Sequence, residues 1–172
     1  MDKRNLATKE AIKKALIRLS KTKPYTEISI RELCQEADIS RSSFYNNYHF
    51  FNDVIQEMSE DFMNKLHGKS LSREFFDEII QNADEVKLLL ESGIFGRDFS
   101  LYLKDRIMQE VSLPKDKGKS DLLLNVMTLY HAYGIWGVML NLVENIGSPQ
   151  FDLIYETAIA ALVKMMQDFS LT

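Results

Sequence analysis

Apolar residues recur along this chain at intervals of three and four, and strand-like alternation is nearly absent. Between Ala7 and Leu19 they fall at Ala11, Ile12, Ala15, Leu16 and Leu19 with lysines opposite, which predicts an amphipathic helix. Lys21-Thr22-Lys23 and Pro24 end it. Ser29-Ile30-Arg31-Glu32 has the spacing of a capping box, in which the Ser29 hydroxyl takes the Glu32 amide and the Glu32 carboxylate reaches back. A short helix follows, with Leu33, Cys34 and Ala37 inward. It must stop at Asp38-Ile39, because Ser40 recaps a second short helix running to about Tyr48.

Asn52 to Leu66 predicts a fourth helix closed by Gly68 in the C-cap region. Ser72 caps a fifth, and the helical pattern continues with breaks near Gly93–Gly96 and Pro114–Gly118. Two long apolar helices close the sequence. One runs from about Ser120 to Asn145, with Gly134 or Gly137 as a place to bend. The other starts from Ser148-Pro149, an N-cap followed by a first-turn proline, and reaches about Phe169. The expected fold is all-α with about nine helices. The most apolar run, Leu122 to Val143, is interrupted by Asn125, Thr128, His131, Gly134, Gly137 and Asn141, which predicts a buried helix rather than a membrane span.

Composition agrees with a globular chain: of 172 residues, 45% are hydrophobic and 27% charged. A single cysteine, Cys34, excludes an intrachain disulfide framework and fits a reducing compartment. The first twenty residues lack an apolar signal region, so a cytoplasmic protein is expected. Net charge is −4, but its distribution is uneven. Residues 1–50 hold ten Lys/Arg against six Asp/Glu, and residues 51–172 hold eleven against nineteen. A basic head on an acidic body points to a polyanion at one end.

The segment Ile39 to Phe51, ISRSSFYNNYHFF, carries five aromatic rings, three serines, two asparagines and one arginine, with no carboxylate. Two short helices joined by a tight turn and preceded by a longer one spell a helix-turn-helix. Phe44 and Tyr48 then point inward together, leaving Arg41, Ser42, Ser43, Tyr45, Asn46 and Asn47 outside. Such a face suits the major groove, because acids there would be repelled by phosphates. Arginine can read guanine and asparagine adenine, while hydroxyls hold phosphate oxygens. The helix start at Ser40 adds free amides for one phosphate.

The stretch Ile28 to Ile55, ISIRELCQEADISRSSFYNNYHFFNDVI, resembles the DNA-binding segment of the tetracycline-repressor (TetR/AcrR) family of bacterial transcription regulators. The resemblance covers about residues 5–66. It implies a helix-turn-helix domain over 1–50 and a helical ligand-binding and dimerisation domain over 51–172. It puts Leu33, Cys34, Ala37, Ile39 and Phe44 in a small core, and Arg31 and Arg41 at base edges. Ser43, Tyr45 and Asn47 fall on phosphates or bases, with Ser29, Ser42, Asn46, Lys3 and Arg4 completing the expected contact set. Three positions depart from the family pattern. Asp38 replaces the usual turn glycine, Asn47 a Tyr or His, and Phe51 a frequent phosphate-binding lysine. Lys3, Arg4 and the Lys21–Lys23 pair are available to compensate.

The tail Tyr130 to Phe151, YHAYGIWGVMLNLVENIGSPQF, resembles a subgroup of that family that includes regulators of dihydroxyacetone-kinase operons. By that analogy the last two helices form a four-helix dimer interface. The residues agree: Phe151, Ile154, Tyr155, Ala158, Leu162, Met165 and Phe169 form one stripe, which Ile159, Val163 and Met166 widen beyond what one neighbour would cover, although burial inside a single-chain bundle would use the same stripe. Phe62, Phe99, Tyr102, Met127, Tyr130 and His131 are candidates for an effector pocket, with Phe75, Phe76 and Phe95 nearby, although the same spacing describes plain core. No catalytic constellation, metal motif or cofactor loop is present, so neither an enzyme nor a cofactor is expected. The leading expectation is a homodimeric repressor on a palindromic operator in double-stranded DNA, controlled by a small-molecule effector and without a membrane. The alternative is a co-regulator of the same fold that acts through protein contacts, favoured by the Phe50-Phe51 pair.

Overall fold

The computed structural model describes residues 3–110 and 120–170, with side chains for 3–109, 122 and 125–165. Among these residues it has nine α-helices and no strand, as the pattern predicts. The expected break at Pro114–Gly118 lies outside the described residues, as do the side chains of Met166 and Phe169. The chain forms two compact units, one of residues up to 65 with 84–95, the other of 66–83 with 96 onward.

In the first unit, α1 (Lys3–Ser20) packs on α2 (Ile30–Glu36) and α3 (Arg41–Tyr45), and α2 packs on α3. Ile12, Ala15 and Leu16 bury one side of α1 against this corner, joined by Leu33, Cys34 and Phe44. The lysines of α1 do not all lie opposite that stripe. Lys13 is buried, because carboxylates from another helix meet it. The unit continues with α4 (Phe51–Leu66), α6 (Ala83–Glu91) and the first turn of α7 (Ile94–Glu110), where Phe95 meets Phe62 edge to face.

The capping box at α2 forms as the spacing predicts. The Ser29 hydroxyl accepts from the Glu32 amide, and the Glu32 carboxylate accepts from the Ser29 amide at 2.9 Å. The end of α2 is a Schellman motif: the Asp38 amide donates to the Gln35 carbonyl at 3.2 Å and the Ile39 amide to the Cys34 carbonyl at 3.0 Å. That arrangement needs a left-handed residue, and Asp38 supplies it with φ of +53°. Ser40 caps α3 through the Ser43 amide at 3.1 Å. The helix itself stops at Tyr45, short of the expected Tyr48. The final turn tightens, with the Asn47 and Tyr48 amides sharing the Phe44 carbonyl at 2.9 Å.

The second unit contains α5 (Arg73–Gln81), the rest of α7, α8 (Ser120–Glu144) and α9 (Phe151–Ser170), with α9 packed on α5 and α8. Its core is aromatic. Phe75 stacks with Phe99 and Tyr102, and Phe99 meets the Trp136 ring at 5.2 Å. Gly96 permits this approach, since a Cβ there would stand 3.4 Å from that indole. Two expected caps do not form. The Ser72 hydroxyl donates to Glu74 rather than holding an α5 amide, and α9 begins at Phe151, two residues after Pro149, with the Ser148 hydroxyl unbonded. The expected break at Gly93–Gly96 is confined to Ser92-Gly93, and a further one falls at Asn82, between α5 and α6.

Two outcomes follow from these local devices. Asp38→Gly removes the Cβ strain of the left-handed turn and should raise stability by about 0.5–1 kcal/mol in chemical denaturation. The Glu32 carboxyl is held down to about 2 by the Lys23 ammonium first, then by the Ser29 amide and hydroxyl. A depressed carboxyl stabilises the fold above its ordinary 4.5 and loses that contribution as pH falls toward its folded value. Glu32→Gln keeps the box without the ionisation, so its melting midpoint should fall less steeply than wild type over that acid range.

Candidate nucleic-acid interface

The first unit presents an exposed face made by α3 and the start of α2. Arg31, Arg41, Ser42, Tyr45 and Asn46 are exposed on it, as is Ser29. Phe44 is wholly buried beneath, with Tyr45 edge-on to it and the Tyr48 ring 5.8 Å away. From Ile39 to Asn52 the sequence has no acidic side chain, so the α3 part of this surface presents no carboxylate to an anion.

Not every expected contact points outward. Ser43 and Asn47 are half-buried, and the Asn47 amide nitrogen donates to the Ser43 carbonyl at 2.8 Å, closing the last turn of α3. The Ser42 and Ser43 hydroxyls both lie within hydrogen-bond distance of the Ser40 hydroxyl, at 2.9 and 3.0 Å. Lys3 and Arg4 are exposed at the start of α1.

Much of the basic character of the head is used internally. Lys9, Lys13, Arg18, Lys21 and Lys23 all pair with carboxylates of their own unit, Lys21 with Asp84 and Lys23 with Glu32. The Lys21–Lys23 pair is therefore engaged rather than held in reserve for phosphate. An acid also stands at the start of α4. The Asp53 carboxylate accepts from the His49 and Phe50 amides at 2.9 and 2.8 Å, which places a negative charge beside that helix end. Asp53 was open to sequence reasoning, as an acid in the first helical turn. Phe50 beside it is 71% exposed.

The second unit bears an apolar surface. On α8, Leu122, Val126, Tyr130 and Tyr133 are exposed, and on α9 so are Leu153 and Ile154. Gly134 and Gly137 share that side of α8, each with open space where a Cβ would stand. The stripe expected on α9 is turned differently. Tyr155 and Leu162 are buried within the chain, Phe151, Ala158 and Met165 are half-buried, and Ile154 is exposed. Tyr155 faces inward because its hydroxyl donates to Asp77 of α5, while Arg73 bridges to Glu156 beside it. Burial is the larger cause that pushes the Tyr155 phenol well above its ordinary value, and the Asp77 bond adds to it.

Among its described side chains, helix α8 is buried along one side rather than all round. Its segment Asn125–Glu144 is long and apolar enough to cross a membrane by length and composition, and 39% of it is buried.

The six effector-pocket candidates are divided between the two units. Phe62 is buried against Phe95 in the first unit, while Phe99 and Tyr102 stack in the second. The Tyr102 hydroxyl donates to the Leu66 carbonyl at 2.6 Å. Met127 and Tyr130 are exposed, and buried His131 lies with Nδ1 2.6 Å from the Met127 carbonyl. A surface cavity of about 400 Å³ opens instead beside His67, Gly68, Asp98, Leu101, Tyr102, Asp105, Arg106 and Gln109. Of the six candidates, only Tyr102 lines it. Asp98, Asp105 and Arg106 share one side of α7, a polar spacing of seven and eight that the apolar pattern did not single out.

Comparison with known proteins gives a fold and little more. No protein-family model matches the chain, and no curated protein matches it in sequence. A solved structure, "Dihydroxyacetone kinase operon activator DhaS", is similar over 94% of this chain and 97% of its own, with a TM-score of 0.68 at 18% identity. The two chains share that fold.

Proposed function

We propose that the protein is a sequence-specific DNA-binding transcription regulator of the TetR/AcrR type, acting as a homodimer on a palindromic operator. The observation that carries this reading is the acid-free, exposed face of α3, held out by a Schellman turn, a serine cap and one buried phenylalanine. The fold shared with DhaS, a dihydroxyacetone kinase operon activator, supports the same reading. Residues 1–50 are the DNA-binding part. Arg31 and Arg41 read base edges, while Ser42, Tyr45 and Asn46 hold phosphates or bases.

A lone head reads too few bases for an operator, and two heads about 34 Å apart read a palindrome. The second copy is proposed to cover the exposed apolar side of α8 and α9, where Gly134 and Gly137 allow close helix approach. Repression by occupancy is the proposed sign, because it needs no further surface. The cavity beside Asp98 and Asp105 is the proposed effector site. A second reading, a co-regulator acting through protein contacts, is favoured by the exposure of Phe50 beside the α3 face.

Selection of bound duplexes from a random pool by the purified protein tests the proposal. A palindromic consensus is expected, and an empty pool overturns it in favour of the co-regulator. On the selected site Arg41→Ala should cost about 1–3 kcal/mol and relax preference at one position. In sedimentation, Tyr130→Glu should weaken self-association more than about a hundredfold, since the interface would bury an unpaired carboxylate. Unchanged self-association would remove α8 from the interface.

A further inference from the structure

Lys13 is 8% exposed, next to Ile12 on the packed side of α1. Its ammonium donates to Asp61 of α4 and reaches Glu57 of α4 at 2.8 Å. Lys9, one turn earlier, binds the other Glu57 oxygen and stands 5.0 Å from the centre of the Tyr48 ring. Tyr48 packs in turn on Phe44, the inward residue of the α3 face. A connected path therefore runs from the underside of α3, through Tyr48 and the two lysines, to α4. It continues along α4, where Lys65 pairs with Glu85 of α6 at 3.3 Å.

Stability alone does not account for this arrangement. Burying the Lys13 ammonium carries a desolvation cost, and a well-packed apolar residue of similar volume is commonly as stable or more so. Burial works against ionisation of Glu57, but the bonds from Lys13 and Lys9 outweigh it and hold the carboxyl below its ordinary range. What the charges add is register. Lys9 and Lys13 are four apart on α1, and Glu57 and Asp61 are four apart on α4. Apolar helix faces tolerate sliding and rotation, whereas this two-by-two ladder closes in one alignment.

We propose that the Lys9/Lys13–Glu57/Asp61 ladder is a positioning device for DNA reading, which fixes the α3 face relative to α4 so that two heads meet an operator at one spacing. The inference rests on the DNA-binding reading above. Lys13 touches no base or phosphate in this account; it acts through α4 as a positioning residue. Releasing the ladder leaves each head intact for a half-site and removes the preorganisation that makes the second head bind cheaply.

Lys13→Met is the informative variant. Glu57 keeps Lys9 and Asp61 is half-exposed, so the substitution leaves no buried charge without a partner or solvent. Binding is measured to a half-site duplex, to the full selected palindrome, and to palindromes one base pair longer or shorter, alongside the melting midpoint. Lys13→Met should melt no lower than wild type and bind the half-site within about twofold, yet lose about tenfold on the full site and its preference for one spacing. Asp61→Asn should reproduce the pattern more weakly, and it serves if Lys13→Met does not fold. Unchanged full-site binding, or equal losses on half and full sites, would overturn the proposal. Wild-type protein that binds neither duplex overturns the DNA-binding reading itself, and this proposal with it.

Discussion

Burial of Phe44 is the constraint on which the rest of the head depends. A helix of five residues has no stability of its own, because nucleation costs more than one turn of hydrogen bonds returns. Burying that ring contributes roughly 1.5–3 kcal/mol and ties α3 to α1 and α2. With the inner side so anchored, Arg41, Ser42 and Tyr45 of α3 stay exposed, while Ser43 is half-buried. Those three side chains and Asn46, just past the helix end, can be chosen for what lies outside.

The two ends of the turn make that anchoring specific. The Schellman bonds stop α2 at one residue, and the Ser40 cap starts α3 two residues later, so the angle between the helices is set by backbone geometry. Asp38 sustains the left-handed position at the expense of strain that glycine would avoid. Around this corner the head pairs half of its cations with its own carboxylates, through Arg18–Glu36, Lys21–Asp84, Lys23–Glu32 and the α1–α4 ladder. On the α2–α3 face the exposed cations are Arg31 and Arg41, while Lys3 and Arg4 are exposed at the start of α1.

Local rules were legible in the sequence where partners lie three to five residues apart. The Ser29–Glu32 box, the Ser40 cap, the stop at Asp38 and the inward Phe44 all follow from such spacing, and with them most of the candidate interface. Features fixed by distant partners were not. Lys13 looks like a solvated lysine until Glu57 and Asp61 arrive from α4, and Tyr155 looks like interface until Asp77 of α5 takes its hydroxyl. Helix α8 is apolar around its whole circumference, so its sequence has no amphipathic direction to show which side its own chain would leave open. Asn47 reads as a base contact by type, yet its amide is drawn back to the Ser43 carbonyl.

Amide hydrogen exchange on the protein with and without its selected duplex bears most directly on the central claim. If the acid-free face of α3 enters a groove, bound DNA should slow exchange at the start of α2 and across residues 40–47, with Ser42, Tyr45 and Asn46 included. Protection absent from that segment, or confined to the second unit, would contradict it.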